Sequence, residues 1–110
     1  MIIEFSARHF QVPNNIREYA ENKVQKFMKY NDRATQCQII LEHEHNDHTA
    51  EISLSVPGNR FFAKAVTKNM TKSIDNAVKK IMLQLKNHLA TANHGSLREL
   101  EAISTTRIPR

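Results

Sequence analysis

The chain of 110 residues contains no tryptophan, two glycines, three prolines and a single cysteine. Two glycines are too few for a glycine-rich phosphate loop, and the motifs GxGxxG, GxxxxGK(S/T) and GxSxG do not occur. The lone Cys37 lies in an alternating apolar segment, which predicts a small buried core residue rather than a reactive thiol or a disulfide. These absences argue against nucleotide-dependent and covalent catalysis. We therefore expect no enzymatic activity and no cofactor.

Long apolar runs are also missing. None approaches the ~20 residues that a helix needs to span a bilayer. The first ten residues, MIIEFSARHF, have neither the basic region nor the apolar core of a secretory signal. With 40% hydrophobic and 25% charged residues, the composition is that of a soluble domain with one modest core. We expect a cytoplasmic protein that does not act at a membrane.

Acidic residues are scarce in one part of the chain. The net charge is +5, but residues 59–88 alone carry seven basic residues against one acid, Asp75, which is a net of +6. The seven are Arg60, Lys64, Lys68, Lys72, Lys79, Lys80 and Lys86. A continuous basic block predicts an anionic partner, with nucleic acid or an anionic membrane as the leading classes. A membrane is disfavoured because the second helix lacks the Trp and Phe anchors of a membrane-bound amphipathic helix.

Hydrophobic periodicity predicts the element order β-α-β-β-β-α. The predicted strands are residues 2–8, 34–43, 49–56 and 60–66, and the predicted helices are 14–29 and 70–92. Asn69 is a candidate helix cap, and VPGN (56–59) has the Pro-Gly pair of a type II turn. We expect an α+β fold in which both helices cover one face of a four-stranded sheet and the other face is solvated. Residues 1–92 would form the domain, and residues 93–110 a flexible tail.

The stretch LEHEHNDHTAEISL, residues 41–54, raises the question of a metal site. It contains three histidines within six positions: His43, His45 and His48. Zinc needs three or four converging ligands, and no CxxC, HExxH or second ligand cluster accompanies these histidines. Asn46 and Asp47 are typical turn residues. We predict a polar hairpin at 43–48 and no functional metal site. Adventitious metal binding by these histidines is the alternative.

The lysines of the second helix form a more specific pattern. Lys72, Lys79 and Lys86 recur every seven residues, which places them on the helix face opposite the apolar stripe, with Lys80 to one side. Ordinary solvated faces mix charges of both signs. The row therefore predicts a polyanion-binding face, with plain solvation as the alternative. Because most aromatic residues occupy core positions, recognition by shape and charge is favoured over base stacking, as in double-stranded-RNA-binding domains.

Three segments together resemble a known family in order and spacing. They are SARHFQVPNNIREYAENKVQKF, HTAEISLSVPGNRFFAKA and MTKSIDNAVKKIMLQLKNH. They are similar to the short ribosome hibernation-promoting factors, also called ribosome-associated inhibitors or subunit interface proteins. The resemblance implies a non-enzymatic protein that binds small-subunit rRNA in the tRNA and mRNA cleft. It also implies inhibition of translation in stationary phase and stress, no small-molecule substrate, and a monomer off the ribosome.

The same resemblance implies a set of rRNA-binding residues. On the second helix they are Lys72, Lys79, Lys80 and Lys86. On the first helix they are Arg17, Lys23, Lys26 and Lys29, with a structural ion pair as the alternative for Arg17. Lys64 and Lys68 extend the basic character into the strand and loop before the second helix, and we predict that they bind rRNA as well. The chain has KNMT at 68–71 where the family has a sequence such as EDMY, which extends the basic patch. The tail HGSLRELEAISTTRIPR matches neither the pairing-promoting nor the pairing-opposing short forms.

Overall fold

The computed structural model describes the backbone of residues 1–94 and the side-chain surroundings of residues 1–88. The elements are β1 (Ile2–Arg8), α1 (Asn14–Val24), α2 (Phe27–Tyr30), β2 (Gln36–Glu44), β3 (Asp47–Val56), β4 (Asn59–Thr67) and α3 (Met70–His94). From residue 95 onward, the predicted tail lies outside the described residues. The division into a domain and a tail stays a prediction.

The four strands form one sheet in the order β1-β2-β3-β4. β1 runs parallel to β2, whereas β2, β3 and β4 are antiparallel neighbours. A tight hairpin cannot join parallel strands, so the chain between β1 and β2 crosses over through α1 and α2. The predicted α+β class and the three consecutive antiparallel strands are confirmed, and the sheet as a whole is mixed.

The alternation of apolar and polar residues decides which face of the sheet is buried. In β3, Ala50, Ile52 and Leu54 are fully buried, whereas Glu51 and Ser53 stay half-buried on the opposite face. The inner face of the sheet and the helices share one core. Burial of each large apolar side chain in it contributes about 2 kcal/mol to the stability of the fold. The large, fully buried apolar side chains are Phe27, Ile39, Leu41, Ile52, Leu54, Ile74, Ile81 and Leu85.

Two tight turns set the register of the antiparallel strands. The β2–β3 turn consists of His45 and Asn46, and His45 takes a positive φ of 58°. The predicted hairpin at 43–48 is present, but its loop is shorter than predicted. His43 pairs with His48 and Glu44 with Asp47, so the strand ladder continues up to the two-residue turn. In the β3–β4 turn, Gly58 has φ +80°, the conformation that a type II turn requires at this position.

The first helix differs from its prediction as one continuous helix over 14–29. It breaks after Val24, and the Lys26 and Met28 amides donate to carbonyls three residues back, at 3.3 and 3.1 Å. Three residues per turn align Val24 with Phe27, and both side chains are fully buried. The tighter turn therefore lets both reach the core.

The start of α3 is fixed from two sides. The Asn69 Oδ1 accepts a hydrogen bond from the Lys72 amide at 3.1 Å, which confirms Asn69 as the cap. The buried hydroxyl of Ser73 donates to the carbonyl of His48 at 2.6 Å and ties the first turn of α3 to β3. No helix within the described residues is long and apolar enough to cross a membrane.

Candidate nucleic-acid interface

Three lysines from two separate helical elements meet in one groove. Lys26 comes from the break between α1 and α2, and Lys79 and Lys86 lie two turns apart on α3. The groove has a volume of about 400 Å³. Its lining, which we call the lysine groove, consists of Lys26, Val78, Lys79, Met82, Leu83 and Lys86.

The lysine groove depends on a polar contact between α1 and α3. The Tyr19 hydroxyl donates a 2.6 Å hydrogen bond to Asp75 Oδ1, and Lys23 Nζ lies 3.7 Å from the same oxygen. The hydrogen bond to Asp75, with a smaller contribution from burial, raises the pKa of Tyr19. Asp75, the one acid of the basic segment 59–88, therefore joins α3, which carries Lys79 and Lys86, to α1, which ends two residues before Lys26.

Within the described part of the chain, no acidic side chain neutralises the charges of the lysine groove. Among residues 1–88, no carboxylate forms an ion pair with Lys26, Lys79 or Lys86. Lys86 Nζ lies 5.5 Å from the centroid of the Tyr30 ring, a cation–π contact that holds one side of the groove. Like charges placed together repel one another, so this arrangement gains nothing in folding and suits an anionic ligand.

A second basic depression lies beyond Tyr30. It has a volume of about 500 Å³ and is lined by the segment Met28–Arg33, which includes Lys29 and Arg33. The contact between Lys86 and Tyr30 makes it a neighbour of the lysine groove. Arg33 and Tyr30 were not among the predicted site residues, because the sequence marks 30–33 only as a helix end.

On the other side of α3, the predicted rRNA contact Lys80 and the neighbouring Gln84 bind the edge of the sheet. Lys80 Nζ donates to the backbone carbonyl of Lys64 at 2.8 Å. Gln84 Nε2 donates to the carbonyl of Phe62 at 2.9 Å. Both acceptors lie on β4, the last strand at one edge of the sheet that residues 1–94 form. Lys80 therefore covers a free strand edge in this structure, which is a structural task in addition to its predicted rRNA contact.

The remaining predicted cations are divided between free and paired groups. Lys72 is exposed in the first turn of α3, outside the lysine groove. Lys68 donates to Asp47 at 2.8 Å, and this hydrogen bond lowers the pKa of Asp47. Arg17 pairs with Glu21 at 3.1 Å, which is the structural ion pair predicted as the alternative to rRNA binding. Lys23 pairs with Asp75. The rRNA-binding role of all ten residues stays a prediction.

The three histidines of the stretch 41–54 do not converge on one point. The rings of His43 and His48 stack at 4.0 Å on the helical side of the sheet, whereas His45 lies exposed in the turn. His48 Nδ1 is inaccessible to solvent and has no hydrogen-bond partner among the described residues. Burial, followed by the charge of His43, lowers the pKa of His48.

A different histidine meets two carboxylates of β2. His9, Glu42 and Glu44 bring their potential ligand atoms within 4.8 Å of one another. His9 Nδ1 already lies 3.2 Å from Glu42, and the Arg8 guanidinium lies 3.8 Å from the same carboxylate. A metal ion would have to compete with Arg8 for the Glu42 carboxylate. The sequence did not indicate the group because the parallel pairing of β1 with β2 creates it.

The side chain of Cys37 is fully buried, as predicted, and burial raises the pKa of its thiol to about 12. The thiolate, which is the nucleophilic form, is therefore suppressed at neutral pH.

Fold and surface together define a small α+β protein that presents a lysine-lined groove on its helical side.

Comparison with known proteins agrees with this description. Residues 3–93 match the family model described as sigma 54 modulation protein / S30EA ribosomal protein. The chain is 30% identical over 88 residues to the ribosome hibernation promoting factor of Pseudomonas putida KT2440, covering 80% of this chain and 86% of that protein. It is 28% identical over 88 residues to the factor of Escherichia coli K12, covering 80% and 93%.

Two solved structures share the fold. A ribosomal subunit interface protein from Coxiella burnetii superposes with a TM-score of 0.77 at 22% identity, covering 82% of this chain and 99% of that one. The N-terminal domain of Thermus thermophilus protein Y gives 0.74 at 24% identity, covering 80% and 99%. The chain belongs to the sigma 54 modulation protein / S30EA ribosomal protein family, and the resemblance seen in the sequence is confirmed.

Proposed function

We propose that this protein is a ribosome-associated hibernation factor of the cytoplasm. It binds rRNA of the small ribosomal subunit in the cleft that tRNA and mRNA occupy, and so inhibits translation during stationary phase and stress. Its family and the names of its relatives, ribosome hibernation promoting factors, support this function. The observation that carries the proposal is the convergence of Lys26, Lys79 and Lys86 in one groove without neutralising carboxylates among the described residues.

The physical basis of binding is charge neutralisation. A lysine that pairs with a phosphate releases a condensed counterion from the nucleic acid, and this release is a main source of affinity. The lysine groove, Lys29 beside it and Lys72 farther along α3 supply positive charge along one side of the molecule. Inhibition requires no bond to be made or broken. The bound protein occupies the space that tRNA and mRNA need, and dissociation restores the ribosome.

Co-sedimentation with purified small subunits tests the proposal. The triple variant Lys26→Gln, Lys79→Gln, Lys86→Gln removes the charges of the groove and should lose most of its binding at moderate salt. The variant Lys64→Gln, Lys68→Gln, Lys80→Gln removes the same formal charge from the β4 side and serves as a comparison. It should lose less binding than the groove variant, because Lys68 already pairs with Asp47 and Lys80 with a backbone carbonyl. Both lower the formal net charge from +5 to +2. Equal binding by the groove variant and the wild type would refute the proposal.

The alternative is a general double-stranded-RNA-binding module. The similarity to such domains rests on the order of the last three strands and the final helix, and it stays a prediction. Such a module would read A-form shape and phosphates and would bind a bare RNA duplex as tightly as it binds the ribosome. Equal affinity of the wild type for duplexes and small subunits would therefore favour the alternative, whereas a strong preference for small subunits would exclude it.

A further inference from the structure

The floor of the lysine groove is apolar. Val78, Met82 and Leu83 lie between the three lysines. Val78 is almost fully buried, but Leu83 is 61% exposed and is among the large hydrophobic side chains most accessible to solvent in residues 1–88. Single exposed apolar side chains are common on protein surfaces, but Leu83 lies beside Met82 and Val78 and among three lysines. The groove therefore combines two chemistries, an ammonium rim and an apolar floor.

The two chemistries match one nucleotide that is not base-paired. In a duplex the faces of the bases are stacked inside, so a duplex offers phosphates to the rim but nothing to the floor. An unpaired nucleotide offers phosphates together with the flat face of a base, which apolar side chains cover favourably. We propose that the lysine groove binds an unpaired RNA nucleotide, with the base over Leu83 and Met82 and the flanking phosphates on Lys26, Lys79 and Lys86. This inference rests on the proposed function.

The dimensions of the groove agree with this occupant. Val78 to Leu83 spans about 7.5 Å along the helix axis, roughly the width of one base. A docked peptide helix needs apolar anchors at positions i, i+4 and i+7, over about 10 Å or more. The volume of about 400 Å³ lies within the usual range for small-ligand sites. The contact of Lys86 with the Tyr30 ring holds one rim lysine in place before the ligand arrives.

Fluorescence anisotropy with short RNA tests the inference directly. One probe is an unstructured single-stranded RNA, and the other is an abasic ribose-phosphate oligomer of the same length and charge. The wild type should bind the RNA about five- to tenfold more tightly than the abasic oligomer. Leu83→Ser should abolish this difference and leave the affinity for the abasic oligomer unchanged. The matched control Val66→Ser changes a side chain that is 49% exposed on the other face of the sheet and should keep the difference.

Equal affinity of the wild type for both oligomers would overturn the inference, and so would a base preference that survives Leu83→Ser. Displacement of the RNA by an acidic amphipathic peptide at lower concentration than by the same RNA unlabelled would also overturn it, in favour of a protein partner. Co-sedimentation with small subunits separates this inference from the proposed function. A chain that prefers bases but does not bind ribosomes would refute the function alone, and a ribosome-binding chain without base preference would refute the groove assignment alone.

Discussion

The Tyr19 hydroxyl donates a 2.6 Å hydrogen bond to the carboxylate of Asp75, and this bond joins α1 to α3. In the sequence, Asp75 is only an interruption of a basic segment. In the structure it binds Tyr19 and pairs with Lys23 at 3.7 Å. The pairing withdraws Lys23 from the surface charge and holds α1 against α3, next to the break that carries Lys26. The groove thus depends on an acidic residue that does not line it.

Removal of this hydrogen bond should weaken the domain. We expect Tyr19→Phe to lower the free energy of unfolding by about 1 kcal/mol, because a partly buried hydrogen bond to a charged group is lost while the ring remains. Urea denaturation measures the effect. The same substitution in an Asp75→Ala background should cost clearly less, because the acceptor is already absent. Equal costs in the two backgrounds would show that Tyr19 and Asp75 are not coupled.

Stability should fall in mild acid because of His48. Burial lowers the pKa of this side chain, so the unfolded chain binds the proton first. Stability is therefore complete above the ordinary histidine pKa of about 6.5 and declines as the pH falls from there toward the lower pKa of the folded state. His43, Asp47 and Lys68 are the charged or titratable neighbours that act on His48.

Urea titrations at several pH values between neutral and mildly acidic test this dependence. His48→Gln should flatten the decline, whereas His45→Gln changes an exposed histidine of the same turn and should leave the decline intact. An unchanged profile for His48→Gln would assign the acid sensitivity to other groups.

The edge of β4 should become prone to self-association when its two side-chain donors are removed. Lys80 and Gln84 donate to the carbonyls of Lys64 and Phe62, and free strand edges pair with other chains. We expect the double variant Lys80→Ala, Gln84→Ala to form larger species at high concentration in sedimentation velocity. Lys72→Ala removes an equal charge from the same helix and should sediment as the wild type does. A monomeric double variant would contradict an edge-protecting role.

Local patterns were sufficient to predict most of the fold. The strands and α3 were predictable because alternation and helical spacing are properties of neighbouring residues, as in Ala50, Ile52 and Leu54 of β3. The break after Val24 was missed because it depends on the core that Val24 and Phe27 enter together. The meeting of His9 with Glu42 was missed because it requires the parallel pairing of β1 and β2.

The site was only partly predictable for the same reason. The spacing of Lys72, Lys79 and Lys86 revealed a basic helix face, but it did not show that Lys26 joins two of these residues and that Lys72 lies apart. The apolar floor was not visible either. Leu83 lies among polar positions of α3, and only the packing of α1 beside α3 turns it into part of a groove.

The salt dependence of binding to isolated small subunits tests the central claim most directly. For the wild type, the logarithm of the affinity should fall steeply and linearly with the logarithm of the salt concentration. Each phosphate contact contributes about 0.7–0.9 to the slope, so Lys26→Gln, Lys79→Gln, Lys86→Gln should reduce it by about 2–3. The equally charged control Lys64→Gln, Lys68→Gln, Lys80→Gln should change it less. Equal slopes for the wild type and the groove variant would contradict rRNA binding through the lysine groove.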